Sequence, residues 1–229
     1  MSQATRARPE GHRERLPVAT LLLVAMFVCP VAAAIGLAPT EATMGHAQRV
    51  LYVHVSVAWL GLLGFLIVAG AGLMYLLRRD LAWDRWAQAV AETGWVCSCL
   101  TLLTGSLWAH AAWGTWWTWD PRLMTSFVLW ALYGGYLILR GQVDDPHARA
   151  RVAAVLALVG VLDVPLVVMA TRWFRAIHPV APTMEPAMRL ALILTFVGLA
   201  TFTSLLVAGR RGQIEIADRL RELERASEL

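Results

Sequence analysis

The chain has 229 residues, of which 58% are hydrophobic and 16% charged, and its formal net charge is +4. Soluble domains average about 45–50% apolar and about 25% charged residues, so this composition excludes an ordinary soluble protein and indicates a membrane protein. All 20 basic residues are arginines. The missing lysine excludes a P-loop ATPase and a Schiff-base enzyme on this chain.

Six apolar stretches are each long enough to cross a bilayer core of about 30 Å, which needs about 20 helical residues. Only helices or closed barrels satisfy the backbone in lipid, and these continuous runs lack the alternation typical of barrel strands. The predicted fold class is therefore an all-α polytopic membrane protein with six transmembrane helices and an outer tryptophan-rich loop. Pro165 is expected to bend the fifth helix. The six spans cover residues 17–37, 51–77, 87–110, 123–139, 152–171 and 188–208.

The spans divide the chain into an N-terminal arm (1–16), a six-helix membrane domain (17–210) and a C-terminal tail (211–229). The tail is predicted to be a surface helix with one apolar stripe, better suited to a partner than to catalysis. A basic arm and three consecutive alanines near the end of the first span allow a cleaved signal peptide as an alternative. That span is, however, longer than the usual signal-peptide core.

Arginine is distributed unevenly between the loops. Fifteen of the 20 arginines lie in the N-terminal arm, in the loops after the second and fourth spans, and in the tail. Short loops rich in positive charge stay on the cytoplasmic side. Both termini are therefore predicted to be cytoplasmic, with the loops after the first, third and fifth spans outside.

Four of the six histidines lie near the predicted outer surface: His46, His54, His110 and His178. Neutral imidazole is a common ligand of transition metals and of haem iron, although a lone loop histidine is most often only a polar residue. His54 lies near the start of the second span, at the outer end of an otherwise apolar helix, where ionisable groups tend to be functional. His178 lies in a loop of aromatics and arginines. If these two faced each other they could hold iron in a flat macrocycle, but 124 positions separate them and spacing does not show the pairing.

Residues 113–123 form a tryptophan loop between the third and fourth spans. Tryptophans often anchor helix ends at the headgroup level, and an aromatic belt is the alternative interpretation. Four indoles in seven positions exceed what anchoring needs, so the sequence favours a hydrophobic shelf for a large planar ligand. The indole N–H groups and Arg122 are predicted to meet the ligand's carboxylates, with Asp120 holding Arg122 in place.

Two carboxylates, Glu92 and Asp163, lie inside predicted spans. Charges are costly in lipid, so both are expected to face the bundle interior. Structural pairing with another polar group is favoured over a proton path.

The segment from Trp113 to Arg122 resembles the WWD motif of haem-handling membrane proteins of cytochrome c biogenesis. Over roughly residues 17–210 the chain resembles the six-span haem exporter protein C family (CcmC). Ser56, Met124 and His110 depart from the residues usual in that family, and His110 leaves a third imidazole near the loop. The other segments that carry the resemblance are 48–49, 52–55, 58–59, 91–94, 104–108, 163–165, 172–178 and 185–189.

The resemblance implies a binding protein, not an enzyme, that transiently holds haem b at the outer face of the bacterial inner membrane. It implies that His54 and His178 are the axial ligands of the haem iron. Family members present haem to the periplasmic chaperone CcmE, together with the ATP-binding cassette subunits CcmA and CcmB and the small protein CcmD. No nucleic-acid partner is expected. The platform residues that it implies are Trp113, Gly114, Trp116, Trp117, Trp119, Asp120 and Arg122.

Two other functions remain open at this point. A permease would move haem or another solute through the bundle along Asp163 and Glu92. A membrane cytochrome would retain its haem permanently, and it would usually place its histidine ligands within spans.

Overall fold

The computed structural model describes residues 28, 31–174, 178 and 184–227. Within this part of the chain the regular structure is helical, apart from one isolated bridge between Glu41 and Gly45. Residues 31–37 belong to a first helix, α1. The helices that follow it are α2 (Gln48–Arg78), α3 (Leu81–Trp113), α4 (Pro121–Arg140), α5 (Pro146–Gly160), α6 (Asp163–Trp173) and α7 (Pro186–Ser227).

Among the described residues, four segments are long and apolar enough to cross a membrane, and they coincide with the second, fourth, fifth and sixth predicted spans. The predicted third span is helix α3, whose 33 residues have the length to cross but include polar side chains such as Gln88 and Glu92. The N-terminal arm, most of the first span and the signal-peptide alternative lie outside the described residues. The chain is an all-α polytopic membrane protein, as predicted. The four segments are Gln48–Arg78, Pro121–Arg140, Pro146–Trp173 and Pro186–Ser227.

Aspartates set where three of the helices begin. The side chains of Asp80, Asp120 and Asp145 each accept hydrogen bonds from backbone N–H groups of the following first turn. Pro121 and Pro146 then occupy the start of α4 and α5, where the missing N–H of proline leaves no hydrogen bond unmade.

Helices α2 and α3 form the central antiparallel pair. Only Arg79 and Asp80 separate them, and Arg79 turns the chain in the left-handed region, with φ 58° and its N–H donated to the Tyr75 carbonyl at 2.7 Å. Small residues let the two backbones approach closely, since a Cβ at Gly64 would lie 3.5 Å from the Gly94 Cα. The pairing places the start of α2 beside the end of α3.

The predicted fifth span, 152–171, is divided between α5 and α6. Proline has no N–H, so the Val161 carbonyl, four residues before Pro165, loses its α-helical donor. It accepts the Val164 N–H instead, at 3.1 Å. The bend predicted at Pro165 is confirmed and takes the form of a break between two helices.

Helix α7 continues from the sixth span into the tail without interruption. Its 42 residues correspond to about 63 Å at 1.5 Å per residue. The predicted tail helix is confirmed as far as Ser227, and it continues α7 across positions 210 and 211 without a break. Ion pairs one turn apart, such as Arg219 with Glu215 at 2.7 Å, support the helix beyond the apolar segment. The stripe predicted for the tail is exposed and consists of Ile216, Leu220 and Leu223.

The two in-span carboxylates have different surroundings. Glu92 binds the Arg210 guanidinium, with Oε1 3.1 Å from Nη2, and accepts a hydrogen bond from Gln88 at 2.9 Å. The structural pairing predicted for Glu92 is therefore confirmed. Asp163, at the start of α6, is buried, and its Oδ2 has no hydrogen-bond partner among the described residues. The pairing predicted for Asp163 is not formed at that oxygen.

Candidate functional site

A cavity opens at the end of the bundle where α2 begins, α3 ends and α4 begins. It encloses about 950 Å³ of empty space, including its open mouth. Its inner wall is apolar, formed partly by Phe65, Leu129 and Val167. We refer to it as the His54 cavity. Its rim contains the predicted site residues His54, Trp113, Trp116, Trp117, Arg122 and His178.

His54 is 9% exposed and packs against the backbone of α3. A Cβ added at Gly105 would lie only 2.8 Å from the His54 Cε1, closer than side-chain atoms approach without displacement. The absence of a side chain at Gly105 therefore leaves room for the His54 imidazole.

A hydroxyl on α3 fixes the tautomer of His54. Thr104 Oγ1 lies 3.2 Å from His54 Nδ1 and donates its only proton to the Leu100 carbonyl at 2.6 Å. The hydroxyl can therefore only accept from the imidazole, so Nδ1 carries the proton. His54 Nε2 is left with a lone pair for a metal, which is how outer partners orient ligating histidines.

His178 lies across the cavity from His54. The ring centroids are 6.4 Å apart and the ring planes are inclined by 44°. The Trp113 indole meets His178 edge-on, at 6.5 Å between centroids. The sequence could not show this pairing, and the structure brings the two histidines together over one cavity.

Tryptophans form one side of the cavity. Trp108 and Trp113 pack edge to face at 4.7 Å, while Trp116 and Trp117 line the same space. The Nε1 atoms of Trp108 and Trp117 are buried, and neither has a hydrogen-bond partner in the part of the chain that the structure describes. Buried N–H groups without acceptors are costly, so these two suit a ligand that brings acceptors of its own.

Three predicted platform residues do not line the cavity. Gly114 ends α3 with φ 71°, a conformation that favours glycine, and donates its N–H to the His110 carbonyl. Asp120 caps α4, and the Trp119 side chain is 74% exposed. Gly114 and Asp120 thus shape the two ends of the loop, while Trp119 lies on its surface.

The predicted contact between Asp120 and the Arg122 guanidinium is not formed. The Asp120 carboxylate instead accepts the backbone N–H groups of Arg122 and Leu123, each at 3.0 Å, and the Thr118 hydroxyl at 3.0 Å. Across the described residues, no carboxylate lies within ion-pair distance of Arg122. An aspartate preceding Pro121 is held by the helix start, which leaves the Arg122 charge at the cavity.

His110 is outside the cavity lining. Its ring stacks on Trp116, with 4.0 Å between centroids and 18° between planes. The third outer imidazole therefore braces the loop and does not join the pair of His54 and His178. Glu92 and Asp163, the residues of the permease alternative, do not line this cavity either.

Thr104, Gly105 and Ser106 are the site residues to which sequence reasoning assigned no role. The first two hold His54, and the Ser106 hydroxyl donates to the Trp116 carbonyl at 2.6 Å, which fixes the loop against α3. The sequence signal for these roles is a glycine flanked by two hydroxyl residues near the end of an apolar helix. This pattern identifies a contact only when the helix that packs against it is known, and the sequence does not give that helix.

Comparisons with known proteins identify the family of this chain. The family model described as Heme exporter protein C matches residues 7–226. Heme exporter protein C of Bradyrhizobium diazoefficiens is 36% identical over 170 residues, which covers 74% of this chain and 63% of the relative. The protein of that name from Escherichia coli K12 is 33% identical over 183 residues, 76% of this chain and 73% of the relative.

A mitochondrial protein of Arabidopsis thaliana, described as CcmC-like in cytochrome c biosynthesis, is 31% identical over 144 residues. The match covers 63% of this chain and 54% of that protein, so the chain spans less than two thirds of this relative and of the Bradyrhizobium one. The family model nevertheless matches almost the whole chain. This chain belongs to the Heme exporter protein C family.

Proposed function

We propose that this protein binds haem as a cargo in the His54 cavity and delivers it to a periplasmic haem chaperone during maturation of c-type cytochromes. The observation that carries the proposal is that His54 and His178 face one cavity. The names of the relatives supply the process, haem export and cytochrome c biosynthesis. In this proposal the protein binds haem and presents it to the chaperone, and it is not an enzyme.

The spacing of the two histidines suits the axial ligands of one iron. A metal–imidazole bond is about 2.0–2.1 Å and a ring centre lies about 1.2 Å from its nitrogen, so axial imidazoles on one iron have centres about 6.5 Å apart. The observed separation is 6.4 Å. Rotation of either ring about its iron–nitrogen bond leaves this distance unchanged, so the 44° inclination is compatible with ligation.

The remaining groups of the cavity match the rest of a haem. Trp113, Trp116 and Trp117 offer apolar surface to the porphyrin. Buried indole N–H groups and the Arg122 guanidinium offer donors to its two carboxylates. Gly114 and Asp120 hold the loop in shape, and the exposed Trp119 extends the shelf toward the solvent.

Features of the cavity support transient binding of haem b. The chain has no Cys-x-x-Cys-His haem-attachment sequence. The cavity is open at the end of the bundle, and its ligand pair joins a helix end to a residue outside the regular helices. A cytochrome that retains its haem would bury both ligands within spans, so a carrier is favoured.

The distribution of arginine supports an orientation with both termini in the cytoplasm and the tryptophan loop on the periplasmic side of a bacterial inner membrane. The partners proposed on the family resemblance are CcmE as acceptor and CcmA, CcmB and CcmD as the rest of an export complex. The exposed apolar stripe of the α7 tail offers the subunits of the export complex, as distinct from the periplasmic CcmE, a cytoplasmic contact.

Haem content after replacement of the histidines tests the function. Purified His54→Ala and His178→Ala variants should lose most of the Soret absorbance of the wild-type protein. His46→Ala is the matched control, because His46 is an exposed histidine that does not line the cavity, and it should retain its haem. An unchanged spectrum in the double variant His54→Ala, His178→Ala would overturn the ligand assignment. Haem that cannot be withdrawn by an added acceptor would instead identify a permanent cytochrome.

A further inference from the structure

A second cavity lies at the other end of the bundle, between α3, α4, α5 and α7. It encloses about 800 Å³, including its open mouth. Arg122 near the start of α4 lines the first cavity and Arg140 at the end of α4 lines the second, so about 27 Å of helix separates them. Five of its lining residues are charged: Glu92, Arg140, Arg149, Arg210 and Arg221.

Three of the four arginines are neutralised by carboxylates. Arg140 binds both oxygens of Asp84, at 2.6 and 2.8 Å. Arg210 binds Glu92 at 3.1 Å. Arg221 binds Asp218, also at 3.1 Å. The first two pairs join α4 and α7 to α3, whereas the third lies within α7.

Arg149 is the exception. Its guanidinium makes no hydrogen bond or ion pair with any residue that the structure describes, and its Nε is buried. The Nε of Arg140, a residue only 7% exposed, is also buried without a partner. Burying cationic donors without acceptors is expensive. The cavity therefore has one uncompensated positive charge and at least two N–H donors that lack acceptors.

We propose that this cavity binds a phosphate group, carried by the headgroup of an anionic phospholipid or by a soluble phosphate. A phosphate supplies several acceptor oxygens and the charge that matches arginine, which binds it through two N–H groups at once. Helix α4 has 20 residues, about the length that crosses a bilayer core, so its end at Arg140 is expected at headgroup level. Leu137 and Ile214 offer apolar surface beside it. Basic cavities between transmembrane helices are a known form of lipid recognition. The site is independent of the haem function.

The test uses the full chain, purified in a neutral detergent and delipidated. Phosphatidylglycerol, phosphatidylcholine with the same acyl chains, and inorganic phosphate are each titrated while the thermal midpoint is recorded. Phosphatidylglycerol or inorganic phosphate should raise the midpoint and phosphatidylcholine should not. The two active arms separate a lipid-borne phosphate from a soluble one.

Arg149→Gln should weaken the response about tenfold, the loss expected from one charge-assisted interaction. Arg149→Lys should keep part of it. Arg151→Gln is the matched control, because Arg151 is an exposed arginine on the same helix, and it should respond as the wild type. Without ligand, Arg149→Gln should melt at the wild-type temperature, since Arg149 has no protein partner to lose.

Three results would overturn the proposal. The first is an equal response to phosphatidylcholine, the second an equal loss in Arg149→Gln and Arg151→Gln, and the third an unchanged affinity in Arg149→Gln.

Discussion

At one end of the bundle most charged groups bind one another, with Arg149 as the exception, whereas at the other end two indole N–H groups that line the cavity have no partner among the described residues. Asp84 and Arg140 form a bidentate pair, and Glu92 joins Gln88 and Arg210 in a second group. Around the His54 cavity, by contrast, the N–H groups of Trp108 and Trp117 are buried without acceptors in the described residues.

This difference predicts that substitutions at one end change the stability of the fold and that substitutions at the other end change ligand affinity. A buried ion pair is satisfied within the protein, so its removal should affect folding. A cavity whose donors lack acceptors has its interactions completed by a ligand, so changes there should affect affinity more than folding. Substitutions at the two ends can test this division.

The largest effect is expected from Asp84→Asn. It leaves the Arg140 charge without its carboxylate in a site where the arginine is 7% exposed. Removing one partner of a buried pair costs about 3–5 kcal/mol. Denaturation in detergent, followed by circular dichroism, should show this loss, while haem bound per folded molecule stays at the wild-type level.

Asp144→Asn is the control for that experiment, because Asp144 is exposed and forms no ion pair among the described residues. Its free energy of unfolding should match the wild type. Replacing the whole pair, by Asp84→Leu with Arg140→Met, should recover most of the stability, since a packed apolar pair often equals a buried ion pair. If Asp84→Asn and Asp144→Asn lowered the free energy of unfolding equally, the proposed role of the Asp84–Arg140 pair in stability would be wrong.

At the other end, Gly105→Ala should weaken haem binding about 10–100-fold, the effect of disturbing the support of a metal ligand. The new Cβ would lie 2.8 Å from the His54 Cε1, so the ring must move. Titration of the haem-depleted protein with haem measures the affinity. Gly70→Ala is the control, because a Cβ at Gly70 in α2 meets nothing within 4 Å. If both variants bind haem equally well, the Gly105 contact does not position His54.

The smallest effect is expected from Trp117→Phe, which keeps an aromatic ring and removes the buried N–H. Loss of one hydrogen bond to a carboxylate, at about 1.5 kcal/mol, predicts an affinity about tenfold weaker. Trp119→Phe, at a residue that is 74% exposed, should bind as the wild type. With haem dimethyl ester, whose carboxylates are blocked, the difference should disappear. A difference that persists with the ester would show that the indole N–H does not bind a carboxylate.

Local sequence patterns predicted the features that depend on neighbouring residues. Apolar length identified four spans that the structure bears out, and Pro165 marked the break between α5 and α6. The density of tryptophans indicated the wall of a site, and four predicted residues between Trp113 and Arg122 line the cavity. Each of these features follows from composition within one helix or loop.

Features that depend on which helices pack together could not be predicted from local sequence patterns. His54 and His178 are 124 positions apart, and only the arrangement of the helices makes them neighbours. Gly105 and Thr104 have meaning only because α3 packs against α2 at the level of His54. The expected contact of Asp120 with the Arg122 guanidinium was wrong because the backbone N–H groups of α4 compete for the same carboxylate.

The uninterrupted helix α7 rigidly connects the region beside His54 to the exposed tail. Near its start Met188 packs against Tyr52, two residues before His54, and near its end lies the exposed tail. A stiff rod of about 63 Å that tilts by about 5° around its middle moves each tip by about 3 Å in opposite directions. A force applied to the tail is thereby transmitted to the helix beside His54, the proposed haem ligand, without any change in the fold between them.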